Sequence, residues 1–109
     1  MRVELLFTED DPSVMPTRQN LAEVLGEDAF ETAIQLIAVA SLADAELLEF
    51  PGSPTIRIDG VDIEPGSAST LGLGRRTYRQ TDGSSSGVPD KALIRRAVER
   101  ARGWGHGRR

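Results

Sequence analysis

Cysteine is absent from the 109 residues, and histidine occurs once, at His106. Without sulfur there is no disulfide, no thiolate and no cysteine-based metal clip, so the fold must be held by packing and backbone hydrogen bonds. His106 has no second His or Cys with which to share an ion, and no metal site or cofactor is expected. It also offers no evident base to the Ser84-Ser85-Ser86 run, which reads as a flexible loop rather than a nucleophile. Aromatic residues make up only 5% of the chain. They do not form the row interleaved with the arginines that a base-stacking platform requires, Tyr78 standing alone in the Arg75–Arg79 run, which argues against a nucleic-acid partner. Long apolar runs are missing too. The amino-terminal MRVELLFTEDDP carries Glu4 inside its short hydrophobic stretch and lacks the length of a secretory leader, and no run approaches a membrane span. A cytoplasmic location without a membrane partner is the expectation.

What is present is enough for one domain. With 39% hydrophobic and 28% charged residues, the chain fits a single core over residues 1–103, followed by a tail at 104–109. The net charge of −4 conceals a division: residues 1–74 hold 14 acidic and 3 basic side chains, and residues 75–109 hold 3 acidic and 10 basic. Within one domain, halves of opposite sign attract each other on folding. The same asymmetry, or the edge of a hairpin, could pair two copies in a homodimer.

The chain alternates strand and helix signals. Val3-Glu4-Leu5-Leu6-Phe7 reads as a strand ended by Thr8-Glu9-Asp10-Asp11-Pro12. Asp11 or Ser13 can cap a helix over Val14–Leu25, with Val14, Leu21 and Leu25 on one stripe, Pro16 in its first turn and Gly26 past its end. Ala33–Ala40 is almost wholly apolar and suits a strand covered on both faces. Ser41 caps a second helix with Leu42, Ala45 and Leu48 inward and Asp44, Glu46 and Glu49 outward, ending before Pro51-Gly52. Thr55–Glu64 is the clearest local signal, two alternating strands joined at Asp59-Gly60, with Ile56, Ile58, Val61 and Ile63 on its apolar face. Pro65–Gly87 reads as two loops around a short extended piece at Arg75–Arg79. Gly66, Gly72 and Gly74 lack the strand-to-helix setting and lysine of a phosphate loop. After Pro89-Asp90, the spacing of Leu93, Ile94, Ala97, Val98 and Ala101 predicts a long amphipathic helix closed by Gly103. The string is β-α-β-α-β-β-α, whose first two connections favour parallel crossovers in a mixed sheet flanked by helices, an α/β domain of thioredoxin-like topology.

The segment Phe50-Pro51-Gly52-Ser53-Pro54-Thr55-Ile56-Arg57-Ile58-Asp59-Gly60 resembles thioredoxin-like families in which a Pro-Thr step opens the third strand and the proline is cis, facing the redox motif. More narrowly, Val3 to about Ala101 resembles a small bacterial thioredoxin-like family grouped with alkylmercury lyases and selenoprotein-like proteins. That family's pattern is a Cys-Pro-x-Cys-like turn, then GSPT with an I/V-x-I-D-G hairpin, then Cys-Arg-x-Tyr. Here the turn reads Asp11-Pro12-Ser13-Val14 and the last motif reads Arg75-Arg76-Thr77-Tyr78. Thiol–disulfide exchange needs a thiolate, so that activity is excluded, and soft-metal capture is disfavoured with it.

The resemblance implies a site at the former redox end. Its candidates are Asp10, Asp11 and Arg75 for acid–base or electrostatic chemistry, and Pro54, Arg76 and Tyr78 for ligand binding. An Asp11–Arg75 ion pair would be the natural successor to two thiols, whereas Asp11 as a plain helix cap and Tyr78 as sheet packing are the simpler expectations. Two functional readings follow: a non-redox domain binding a small molecule, peptide or partner, or a cofactor-free isomerase, cyclase or lyase in which Asp10 or Asp11 moves a proton beside Arg75 or Arg76. Fold alone does not choose between them.

Overall fold

The alternation of Val3, Leu5 and Leu6 with more polar neighbours makes β1 (Val3–Phe7) the strand on which both faces of the sheet are built. The computed structural model describes residues 1–27, 32–65 and 71–103. In chain order the elements are β1, α1 (Val14–Glu27), β2 (Ile34–Ala38), α2 (Leu42–Leu47), β3 (Thr55–Ile58), β4 (Val61–Asp62), β5 (Tyr78–Arg79), β6 (Ser85–Ser86) and α3 (Lys91–Ala101). Four of the strands form one sheet in the order β2-β1-β3-β4. β1 and β2 run parallel, while β3 is antiparallel to β1 and to β4. This is the mixed α/β sheet of a thioredoxin-like fold, with the expected order of elements. The small β5–β6 hairpin is an addition between β4 and α3.

Each face of the sheet is covered by its own cluster. Val3 and Leu5 of β1 join Ile56 and Ile58 of β3, Leu21, Val24 and Leu25 of α1, and Leu93, Ile94, Ala97 and Val98 of α3 in the larger one. Leu6 points the other way and meets Val39, Ala45 and Phe50 beneath α2. Burying a leucine or isoleucine side chain contributes about 1.5–3 kcal/mol, so the first cluster supplies most of the driving force. α1 runs past Gly26 to Glu27, and α3 is capped by the Asp90 carboxylate on the Leu93 N–H. Among α2's inner residues, Ala45 is buried and Leu48 half-buried, but Leu42, expected inward, is 64% exposed because it lies in the first turn, beyond the reach of the sheet.

The hairpin forms as its sequence predicts. Asp59 (φ 52°) and Gly60 (φ 83°) both take the left-handed region that a type I′ turn requires. Arg2 pins the turn from below: its N–H donates to the Asp59 carboxylate at 2.7 Å and its carbonyl accepts the Asp59 N–H at 2.7 Å. Val61 sits at the turn, outside the apolar face assigned to it, and is 61% exposed. β2 also departs from expectation. Its apolar sequence predicts a strand covered on both faces, yet β2 is an edge strand with Gln35, Leu36 and Ala38 exposed, and among the described residues only β1 pairs with it. The extended piece expected at Arg75–Arg79 contains β5, whereas β6, its partner through Tyr78–Ser86 and Arg79–Ser85, falls in the Ser-rich stretch that reads as a loop and carries no hydrophobic alternation to announce it.

Two glycines test this packing in opposite directions. Gly52, at φ 126°, holds its α-carbon so close to the next segment that an added Cβ would lie 3.1 Å from the Gly74 carbonyl oxygen and 3.2 Å from the Arg76 Cβ. Gly52→Ala should therefore lower unfolding free energy by about 1–3 kcal/mol. Gly26 is exposed in α1, and a Cβ there meets nothing within 4 Å. Gly26→Ala should raise stability by about 0.5–1 kcal/mol. Urea unfolding midpoints of the two variants would check both signs.

Candidate functional site

The segment 74–76 is brought across the sheet by Ser53. The Ser53 N–H donates to the Gly74 carbonyl and its own carbonyl accepts the Arg76 N–H, both at 2.9 Å, forming a parallel bridge between Ser53 and Arg75. Extended backbone alternates its side chains. Arg76 and Tyr78 consequently face inward and are buried, while Arg75, Thr77 and Arg79 face solvent.

Arg76 is 6% exposed and anchors a polar cluster. Its guanidinium makes a fork on Asp62, at 2.7 Å to Oδ2 and 2.8 Å to Oδ1, and also donates to Thr55 Oγ1 at 3.1 Å and to the Glu64 carbonyl at 3.0 Å. It lies 4.5 Å from the centre of the Tyr78 ring, a cation–π distance. Burial by itself lowers the Arg76 pKa, but the Asp62 hydrogen bonds and the surrounding negative charge outweigh it and hold the guanidinium above its ordinary value. Tyr78 donates its phenolic proton to the Pro54 carbonyl. Burial pushes its pKa well above the ordinary tyrosine range, against the opposing pull of the Arg76 charge. The Ser53–Pro54 peptide bond is cis, as the family resemblance implies.

Three of the ligand-binding candidates, Pro54, Arg76 and Tyr78, thus come together, but as a buried brace. The Arg76 fork ends on Asp62, Thr55 and the Glu64 carbonyl, and the phenol of Tyr78 is closed against backbone. The partners Asp62 and Thr55 escaped sequence reasoning. Asp62 reads as one more outward residue of the hairpin, and the only signal that could single it out is the later arrival of two adjacent arginines.

The catalytic candidates lie apart. Asp11 is 6% exposed; its Oδ1 accepts the Ser13 N–H at 2.9 Å and its carbonyl accepts the Val14 N–H, so it shapes the turn into α1. Its Oδ2 is buried without a hydrogen-bond partner. Arg75 is exposed and makes no ion pair with Asp11; the arginine that does pair is Arg76, with Asp62. Asp10 is exposed on the loop after β1. There it lines a recess of about 320 Å³ together with Thr8, Glu9, Val39, Ala40 and Leu73. Thr8 anchors one wall: its N–H donates to the buried Ser53 Oγ at 3.0 Å. Glu9 and Leu73 were not singled out in the sequence, since an acidic loop residue and a leucine among glycines are ordinary until the fold brings them together. Among the described residues no group of three or more acidic or histidine side chains could hold a metal ion. His106, Gly66 and the tail at 104–109 lie outside the described residues.

The chain matches no family model, no curated protein and no solved structure. The fold assignment accordingly rests on strand order and direction, and the site on its own geometry.

The brace makes two expected outcomes. Asp62→Leu leaves a buried guanidinium short of its carboxylate and should cost about 3 kcal/mol, while the double variant Asp62→Leu/Arg76→Met should recover much of that loss. Equal destabilisation of the single and double variants in urea would show that the two residues are not coupled. Tyr78 is the only tyrosine, so absorbance at 295 nm reports it alone. Since its folded-state pKa is raised, its stabilisation is intact below the unfolded value of about 10 and is lost as the pH climbs above it. The phenolate signal should stay silent beyond that pH and then rise together with loss of helical circular dichroism. Tyr78→Phe should flatten the alkaline fall in stability.

Proposed function

We propose that the chain is a non-redox binding domain, and that its ligand is a small molecule carrying a cationic amine, seated in the recess at the carboxyl end of β1. The observation that carries this reading is the pairing of Glu9 and Asp10, with no ion-pair partner for either among the described residues, against the apolar wall of Val39, Ala40 and Leu73. Such a lining suits an ammonium group on a short hydrocarbon body. The location supports it as well. β1 connects through α1 to β2 on one side and pairs with β3 on the other, and crevices at the carboxyl ends of strands where the chain changes side are favoured ligand positions in α/β sheets.

Peptide capture at Ser53 is not favoured, because strand addition needs unpaired backbone groups and the N–H and C=O of Ser53 are both engaged. The acid–base reading asks for an arginine beside Asp10 or Asp11, and Arg76 is committed to Asp62 instead. Membership of a cysteine-less branch of the thioredoxin-like family grouped with alkylmercury lyases belongs to the same proposal, on the strength of GSPTIRIDG.

Amide chemical-shift mapping against a set of small primary amines and their neutral amide counterparts would test the reading. Amines should perturb Thr8, Asp10, Ala40 and Leu73, neutral counterparts should not, and Glu9→Gln/Asp10→Asn should weaken binding at least about tenfold. That factor corresponds to about 1.4 kcal/mol of charge interaction. Equal response to charged and neutral compounds, or perturbation confined to other surfaces, would refute it.

A further inference from the structure

We infer that the outer edge of β2 is a self-association surface, which pairs antiparallel with the β2 edge of a second copy of this chain about a two-fold axis at Leu36. Val39 donates its N–H inward to the Phe7 carbonyl at 2.8 Å. Backbone groups alternate along a strand, so those of Ile34, Leu36 and Ala38 point outward, away from β1. No strand among the described residues pairs with that side. An antiparallel copy sets Leu36 opposite Leu36 and Ile34 opposite Ala38, in the register where facing residues exchange both hydrogen bonds. The strand is its own complement.

The side chains point to the same occupant. Leu36 is 48% exposed and Met15 on α1 is 66% exposed. A groove of about 500 Å³ runs beside them between α1 and β2, lined in part by Met15, Ala22 and Ile34. Isolated edges are ordinarily guarded by lysine, proline or a bulge, yet Thr32–Leu42 contains no ionisable side chain and no proline. That neutrality selects a partner. The chain carries −4 overall, and along β2 a second copy meets no charge of its own sign. Arg18, which also lines the groove, is exposed and can cover apolar surface with its stem while its guanidinium turns to water. At about 3.3 Å per strand residue and about 1.5 Å per helix residue, β2 and the flank of α1 each present a side roughly 20 Å long. A specific interface needs roughly 600 Å² from each copy, which requires both the β2 edge and the flank of α1 rather than the strand alone.

Sedimentation equilibrium over a concentration series should show mass rising toward twice 11.8 kDa. Leu36→Arg should hold the protein monomeric with an unchanged circular dichroism spectrum, since the position is solvent-accessible in the monomer, and Val61→Arg at the opposite edge should leave the dimer intact. A second measurement does not depend on a disruptive variant. The chain has no cysteine, so Leu36→Cys introduces a single thiol, and facing residues of an antiparallel pair are close enough for a disulfide. It should cross-link rapidly on mild oxidation, whereas Val61→Cys should not. A protein monomeric up to millimolar concentration, a dimer that survives Leu36→Arg, or cross-linking of Val61→Cys as fast as Leu36→Cys would each overturn the inference.

Discussion

Asp62 and Arg76 meet where three separate pieces of chain would otherwise have nothing to hold them. β4 is only two residues long and lies at the edge of the sheet, too short to be fixed by ladder bonds alone. The Arg76 fork supplies what the ladder lacks: it grips Asp62, takes the Glu64 carbonyl beyond it, and reaches back to Thr55 at the start of β3. Through the ring of Tyr78 it also seals the route to Pro54. A buried guanidinium is stable only with its charge compensated and its donors engaged. The insertion between β4 and α3 is therefore tied to the sheet by the Asp62 charge pair and the Ser53 bridge together with the Tyr78 phenol on the Pro54 carbonyl.

This brace determines what the end of the sheet around Pro54 can offer. Arg76 and Tyr78 read from the sequence as ligand-facing groups, but the alternation that buries them sends Arg75 to solvent. The exposed carboxylates at the end of β1 are Glu9 and Asp10, and neither forms an ion pair among the described residues. The site has a sign, and the sign is negative.

Much of the fold was legible. β1, the two long helices and the Asp59-Gly60 hairpin each announced themselves by period or turn chemistry, and their order gave the topology. The failures have physical causes. β2 is as apolar as a covered strand, and an uncharged sequence alone does not distinguish a buried strand from an edge awaiting a partner. β5 falls in the extended piece expected at Arg75–Arg79, but its partner β6 lies among Gly and Ser, where pairing follows from backbone bonds and side-chain pattern is mute. For the site, residue types were legible and their pairing was not: that Arg76 pairs with Asp62, rather than Arg75 with Asp11, depends on the Ser53 bridge, a contact between positions far apart in sequence.

The two sides of the sheet are unequally secured. The cluster beneath α2 consists of Leu6, Val39, Ala45 and Phe50 with Ile37 and Leu48 packed on it, and the helix above it spans only Leu42–Leu47. Elements with few buried apolar neighbours open first and most often. Val39 belongs both to this small cluster and to the recess wall, so the packing beneath the shortest helix and the shape of the recess share one side chain and cannot be altered independently.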